Sequence, residues 1–186
     1  MSSTAVDTAH GHHAEHGHGF VAWARRWITT TNHKEIGTLY LVFSLAMLFV
    51  GGGMAMLIRL ELFQPGMQFL RPEFFNSMTT LHALVMVFAM IMPAFAGFAN
   101  WMIPLMIGAP DMALPRLNNW SFWLLPFAVT LLILTLFMPG GAPAGGWTLY
   151  PPLVLQTGDA FPFAVFAVHL LGLSSILPRS TSSSRS

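Results

Sequence analysis

Met78-Thr79-Thr80-Leu81-His82-Ala83-Leu84-Val85-Met86 places one imidazole about a turn inside a segment that stays apolar as far as Ile107. A ring that titrates near neutrality and ligates metals is costly in hydrocarbon, so its presence there marks either a ligand or an interhelical hydrogen bond. The surrounding run is long enough to span a bilayer, since about 20 uncharged residues cross a hydrocarbon layer about 30 Å thick. Three such stretches are complete, from about Gly37 to Ile58, Met78 to Ile107 and Trp120 to Met138, each closed by charged or Pro/Gly-rich sequence. A fourth begins near Phe161 and stays apolar to Leu177, after which Pro178-Arg179-Ser180-Thr181-Ser182-Ser183-Ser184-Arg185-Ser186 is too polar to finish a crossing. The pattern predicts an all-α integral membrane protein with three complete transmembrane helices and a truncated fourth.

Composition agrees, because 54% hydrophobic and 8% charged residues over 186 positions cannot build a polar shell. A net charge of +1 gives no basic surface, which sets nucleic-acid partners aside. With no cysteine, any metal or haem falls to oxygen ligands, eight histidines or thirteen methionines. Five of those histidines, His10, His12, His13, His16 and His18, lie in a Gly/Ala-rich leader over residues 1–23 that reads as a disordered cytoplasmic tail without coordination geometry. The leader has no apolar stretch of a cleavable signal, so insertion is expected to begin at the first span. Arg25, Arg26, Lys34 and Arg116 on one side outnumber Arg59 and Arg71 on the other, which puts the N-terminus in the cytoplasm.

Between the second and third spans, Gly108-Ala109-Pro110-Asp111-Met112-Ala113-Leu114-Pro115-Arg116-Leu117-Asn118-Asn119 concentrates a carboxylate and two amides in a stiff turn. By chemistry alone this is either a proton-collecting mouth or an interfacial turn closed by an Asp111–Arg116 pair.

Four motifs then occur in one order at one spacing: Thr31-Asn32-His33-Lys34-Glu35-Ile36-Gly37-Thr38-Leu39-Tyr40, the His82 run, the Asp111 loop, and Gly146-Trp147-Thr148-Leu149-Tyr150-Pro151-Pro152. Over residues 24–177 the chain resembles the N-terminal part of subunit I of the haem-copper oxidases, a twelve-helix family, in its aa3-type cytochrome c oxidase branch. The resemblance implies a catalytic subunit that reduces oxygen to water with electrons from cytochrome c while pumping protons, in a lipid bilayer beside oxidase subunits II and III. It implies haem a here, with haem a3, copper B and a structural calcium or sodium ion in the full-length family.

Residue by residue, His82 matches an axial ligand of haem a, and Arg59 matches the arginine that hydrogen-bonds its formyl group, although an arginine at a helix end also snorkels. Glu61 and Gly66 match the region that helps hold the calcium or sodium ion. Asp111 matches the entrance of the D proton pathway, Asn100 and Asn118 its mouth, and Tyr40, Ser174 and Ser175 polar positions farther along. A wire of that kind needs oxygen and amide groups to order water where bulk solvent is excluded. His169 matches no ligand, and Met86, Phe88, Met90 and Met92 read as packing.

The remaining haem and copper ligands belong to family segments beyond this sequence, so no oxygen-reduction site is expected and the isolated chain should be inactive. The switch to Ser and Arg over 178–186 reads as a frameshifted, non-native tail, because shifting one back-translation by two bases restores a family-like apolar run. The leader favours a bacterial plasma (inner) membrane. A quinol oxidase subunit I and a non-catalytic membrane fragment are the alternative readings; Pro115-Arg116-Leu117-Asn118-Asn119 favours the cytochrome c branch.

Overall fold

The structure, a computed structural model, describes residues 19–112, 114–156 and 158–183, the stretch 178–183 as backbone alone. The first 18 residues, and with them the five leader histidines, lie outside it. A short helix α1 (Phe20–Ile28) precedes α2 (His33–Glu61). The second long helix is α3 (Pro72–Leu84), a π-helical segment (Val85–Ile91) and α4 (Met92–Met106). Then follow α5 (Pro115–Leu134), extended by a short 3-10 turn, and α6 (Phe161–Ser183). Three helices, His33–Glu61, Pro72–Met106 and Pro115–Phe137, are long and apolar enough to cross a membrane, and Phe161–Leu177 is a shorter apolar helix. The expected spans are thus observed. One boundary moves: the leader was expected to be irregular through residue 23, whereas α1 begins at Phe20, because Phe20, Trp23 and Trp27 repeat at helical spacing.

Local chemistry sets the helix ends. Asn32 caps α2 by accepting from the Lys34 amide at 2.9 Å, and Pro72 and Pro115 occupy first-turn positions where no amide is needed. Inside the second span, Pro93 lacks an N–H and its ring would meet the Ala89 carbonyl of a regular α-turn; the π-helical segment just before it widens the turn and relieves that contact. Ser44 donates to the Met90 carbonyl there at 2.9 Å, tying the widened turn to α2.

The helices pack as two antiparallel hairpins, α2 with the second span and α5 with α6. Membrane helices have no hydrophobic driving force toward one another, so close approach of small residues does the work. Gly37 and Gly97 lie backbone to backbone: a Cβ at Gly37 would stand 3.0 Å from the Gly97 carbonyl, and one at Gly97 would stand 3.1 Å from the Gly37 carbonyl. Beyond α5 the loop returns over α3, where Ser77 donates to the Ala142 carbonyl at 2.7 Å and the Gly146 amide donates to Thr80 at 3.0 Å.

Gly37→Val, which forces backbone apart, is expected to destabilise the bundle by about 1–3 kcal/mol. Unfolding in mixed micelles, followed by circular dichroism, checks this; Gly52→Val, where an added Cβ meets nothing within 4 Å, should cost far less.

Candidate functional site

His82 sits two positions before the end of α3, half-buried against α2, with Nδ1 2.8 Å from the Gly51 carbonyl oxygen. A carbonyl can only accept, so Nδ1 carries a proton, and in the neutral ring Nε2 then keeps the lone pair. Fixing one ring nitrogen this way orients the other as a ligand. A Cβ built on the neighbouring Gly52 or Gly53 would meet nothing within 4 Å, so α2 presents bare backbone beside the imidazole. An oriented nitrogen donor next to a strip free of side chains fits one axial side of a flat macrocycle. Gly52, Met56 and Arg59 follow at i, i+4 and i+7 on α2, which puts exposed Arg59 on the face of Gly52, about 10 Å along the helix.

The second cluster lies toward the other membrane face. Asp111 accepts from its neighbour, the Met112 amide, at 2.7 Å, and its Oδ1 stands 3.4 Å from Nδ1 of buried His33 at the start of α2. The basic side chain next to Asp111 is therefore His33, and no Asp111–Arg116 pair forms among the described residues. Farther in, Asn118 donates to Asn100 at 2.6 Å, and Asn100 donates to the Ala96 carbonyl at 2.8 Å. Deeper still, the Tyr40 hydroxyl shares a short hydrogen bond with Ser121, whose carbonyl accepts from Ser174 at 2.7 Å. Tyr40, Asn100, Ser174 and Ser175 line one otherwise apolar cavity of about 370 Å³, room for several waters. Ser175 spends its hydroxyl on the Leu171 carbonyl. His33 Nε2 and the Asn118 oxygen are buried without a partner among the described residues, so both retain hydrogen-bonding capacity along this line.

Sequence reasoning had not singled out His33 and Ser121. His33 sat in a quoted motif, but its meeting with Asp111 spans the fold; Ser121, three residues after Asn118, shares the inner face of α5 and could have been found by helical spacing. Glu61, on the opposite side of the bundle, is buried and accepts from the amides of Gln68, Phe69 and Leu70 at 2.8, 2.8 and 2.9 Å, closing the loop that turns at Gly66. Gly66 has φ of 98°, which favours glycine. Among the described residues no three His, Asp, Glu or Cys side chains form a metal-binding group. His169 is exposed and turns back on the Val165 carbonyl of its own helix.

The chain is thus a multi-pass membrane protein with an interior imidazole oriented by the Gly51 carbonyl and, apart from it, a line of buried polar groups. Residues 35–181 match the family described as cytochrome C and quinol oxidase polypeptide I, and the chain belongs to that family, subunit I of the haem-copper oxidases. It is 44% identical to cytochrome c oxidase subunit 1 of Corynebacterium diphtheriae over 85% of this chain and 28% of that protein. Against cytochrome c oxidase subunit 1 of Candida albicans it is 44% identical, over 84% of this chain and 30% of the relative. A probable cytochrome c oxidase subunit 1-alpha of Streptomyces avermitilis is 50% identical over 69% of this chain and 22% of its own length. The chain thus spans less than a third of the length of these curated relatives.

The Tyr40–Ser121 contact joins the two hairpins at a position where Tyr40 is 1% exposed. Ser121→Ala should cost about 0.5–1.5 kcal/mol by removing one of the phenol's hydrogen-bond partners, Ser174 being the other, whereas Tyr40→Phe with Ser121→Ala should cost less than the sum of the two single changes. A double-mutant cycle on unfolding in mixed micelles measures the difference.

Proposed function

We propose that this chain supplies the haem a side and the proton entrance of a haem-copper oxidase subunit I, in an assembly that takes electrons from cytochrome c. The observation that carries the reading is the His82–Gly51 hydrogen bond, which leaves Nε2 as a donor beside an uncovered strip of α2. His82 would hold the iron from one side, and Arg59 would meet an edge substituent. Haem a held there supplies a one-electron carrier within the membrane.

The chain's other residues handle protons. Asp111 collects them at the surface with His33 beside it; Asn100 and Asn118 order water just inside; Tyr40, Ser121, Ser174 and Ser175 extend the polar line into the cavity. The donor assignment follows the cytochrome c oxidase names of the relatives, and partner subunits II and III follow the family resemblance; the His-rich leader favours a bacterial inner membrane, and the excess of Arg25, Arg26, Lys34 and Arg116 over Arg59 and Arg71 favours an N-terminus in the cytoplasm. A calcium or sodium ion at Glu61 has the family resemblance behind it, while the geometry gives that carboxylate three amide donors of its own. Neither the second axial ligand nor an oxygen-reducing centre is supplied by the residues described, so the chain by itself is not expected to turn over oxygen.

Titrating haem a into the purified chain in micelles tests the reading. His82→Ala should weaken binding at least about tenfold, about 1.4 kcal/mol, while His169→Ala should leave the Soret shift unchanged; equal binding by the two variants would sink the assignment. In a full-length subunit carrying this segment, Asp111→Asn should slow proton uptake at least about tenfold without altering the haem spectrum, and unchanged uptake would remove Asp111 from the path.

A further inference from the structure

Helix α1 is unlike the other helices, for it is short, strongly two-faced and has no buried residue. At 3.6 residues per turn, Phe20, Val21, Trp23, Ala24, Trp27 and Ile28 fall within one arc of about 160°, and Arg25 and Arg26 occupy the opposite arc. The apolar arc is open: Phe20 and Val21 are each 78% exposed and Trp23 is 57% exposed. Left in water, such a face would be a liability.

Two contacts fix where this face lies. The Ile28 carbonyl, at the last residue of α1, accepts from the indole N–H of Trp123 at 3.1 Å. Trp123 is about 12 Å along α5 from its first residue, so the end of α1 is held against the third turn of a spanning helix. The second contact is the Arg26–Glu35 ion pair, which ties the polar face to the first turn of α2. Held at both points, α1 cannot stand away from the bilayer. The last residue of its apolar arc, Ile28, lines a groove with Trp120, Trp123, Leu124 and Phe127 of spanning helix α5, whose polar side is formed by Thr29 to Thr31, Arg116 and Asn119.

Charge decides the kind of lipid. Arg26 is neutralised by Glu35, but among the described residues no carboxylate lies within ion-pair distance of Arg25. We propose that α1 is an interfacial helix lying in the plane of the membrane face at which α2 begins, its apolar arc in the lipid and Arg25 against anionic headgroup phosphates.

The chain has no cysteine, so single-cysteine variants of the full chain can be spin-labelled and reconstituted in vesicles of phosphatidylcholine with or without phosphatidylglycerol. Labels at Phe20→Cys and Trp23→Cys should be relaxed by oxygen and shielded from a water-soluble nickel chelate, and a label at Ala22→Cys should show the reverse. Nickel access at all three positions would place α1 in water and overturn the proposal. Shielding of all three from both relaxants would mean that protein covers the face, which also overturns it. Adding Arg25→Gln to Phe20→Cys should raise nickel access at least about twofold in the anionic vesicles and leave it unchanged in pure phosphatidylcholine; no rise in the anionic vesicles, or an equal rise in both, would refute the phosphate contact.

Discussion

The backbone contact between Gly37 and Gly97 sets how closely α2 lies against the second span, and most of the polar geometry follows from that distance. In hydrocarbon, an unpaired amide or hydroxyl has no water to turn to, so each must find a partner across a helix interface. With the two glycines in contact, Asn100 comes to the seam with α5, Ser44 reaches the Met90 carbonyl, and His82 reaches the Gly51 carbonyl two further turns along the same interface. A bulkier pair would separate the helices at one end and draw His82 away from the acceptor that orients it. The orientation of the imidazole is therefore a property of helix packing as much as of the histidine.

The spans were legible because hydrocarbon thickness imposes a length and a polarity that composition alone reveals. Gly37 to Ile58 falls inside α2, and Trp120 to Met138 ends one residue past the helix, which closes at Phe137. What sequence could not supply was pairing. Asp111 had a nearby cation in Arg116, five residues on, and local proximity favoured it; the fold instead brings His33 to the carboxylate from 78 positions earlier in the chain. Glu61, in sequence, points only to a region that holds a calcium or sodium ion in the family, and only the folded loop shows three amides converging on it. The π-helical turn was hidden for a related reason: a proline inside a helix signals a kink or a break, but whether the chain bends, breaks or widens depends on the neighbour that takes up the freed carbonyls. Helix α1 escaped notice because nine residues are too few for a span and its histidine-rich prelude dominates the composition there.

Kinship and geometry answer different questions. Identity of 44–50% to oxidase subunits places the chain in its family, yet says nothing of which atoms do what. The hydrogen bond on His82 Nδ1 fixes how its ring is turned, and the shared cavity gives a physical reason for the grouping of Tyr40, Asn100, Ser174 and Ser175. Arg59 lies on the Gly52 face of α2, and among the described residues no carboxylate is paired with it.

The polar line has a second office. Asn100 to Asn118, Tyr40 to Ser121 and Ser174 to Ser121 are also bonds that fasten α5 to the helices on either side of it, and the first two are cross-links between the hairpins. Each water admitted among these groups must compete for a hydrogen bond that now holds helices together. Wetness and cohesion are thus drawn from one stock of donors and acceptors, and a bundle that hydrates its interior more readily will, by the same exchange, be a softer one.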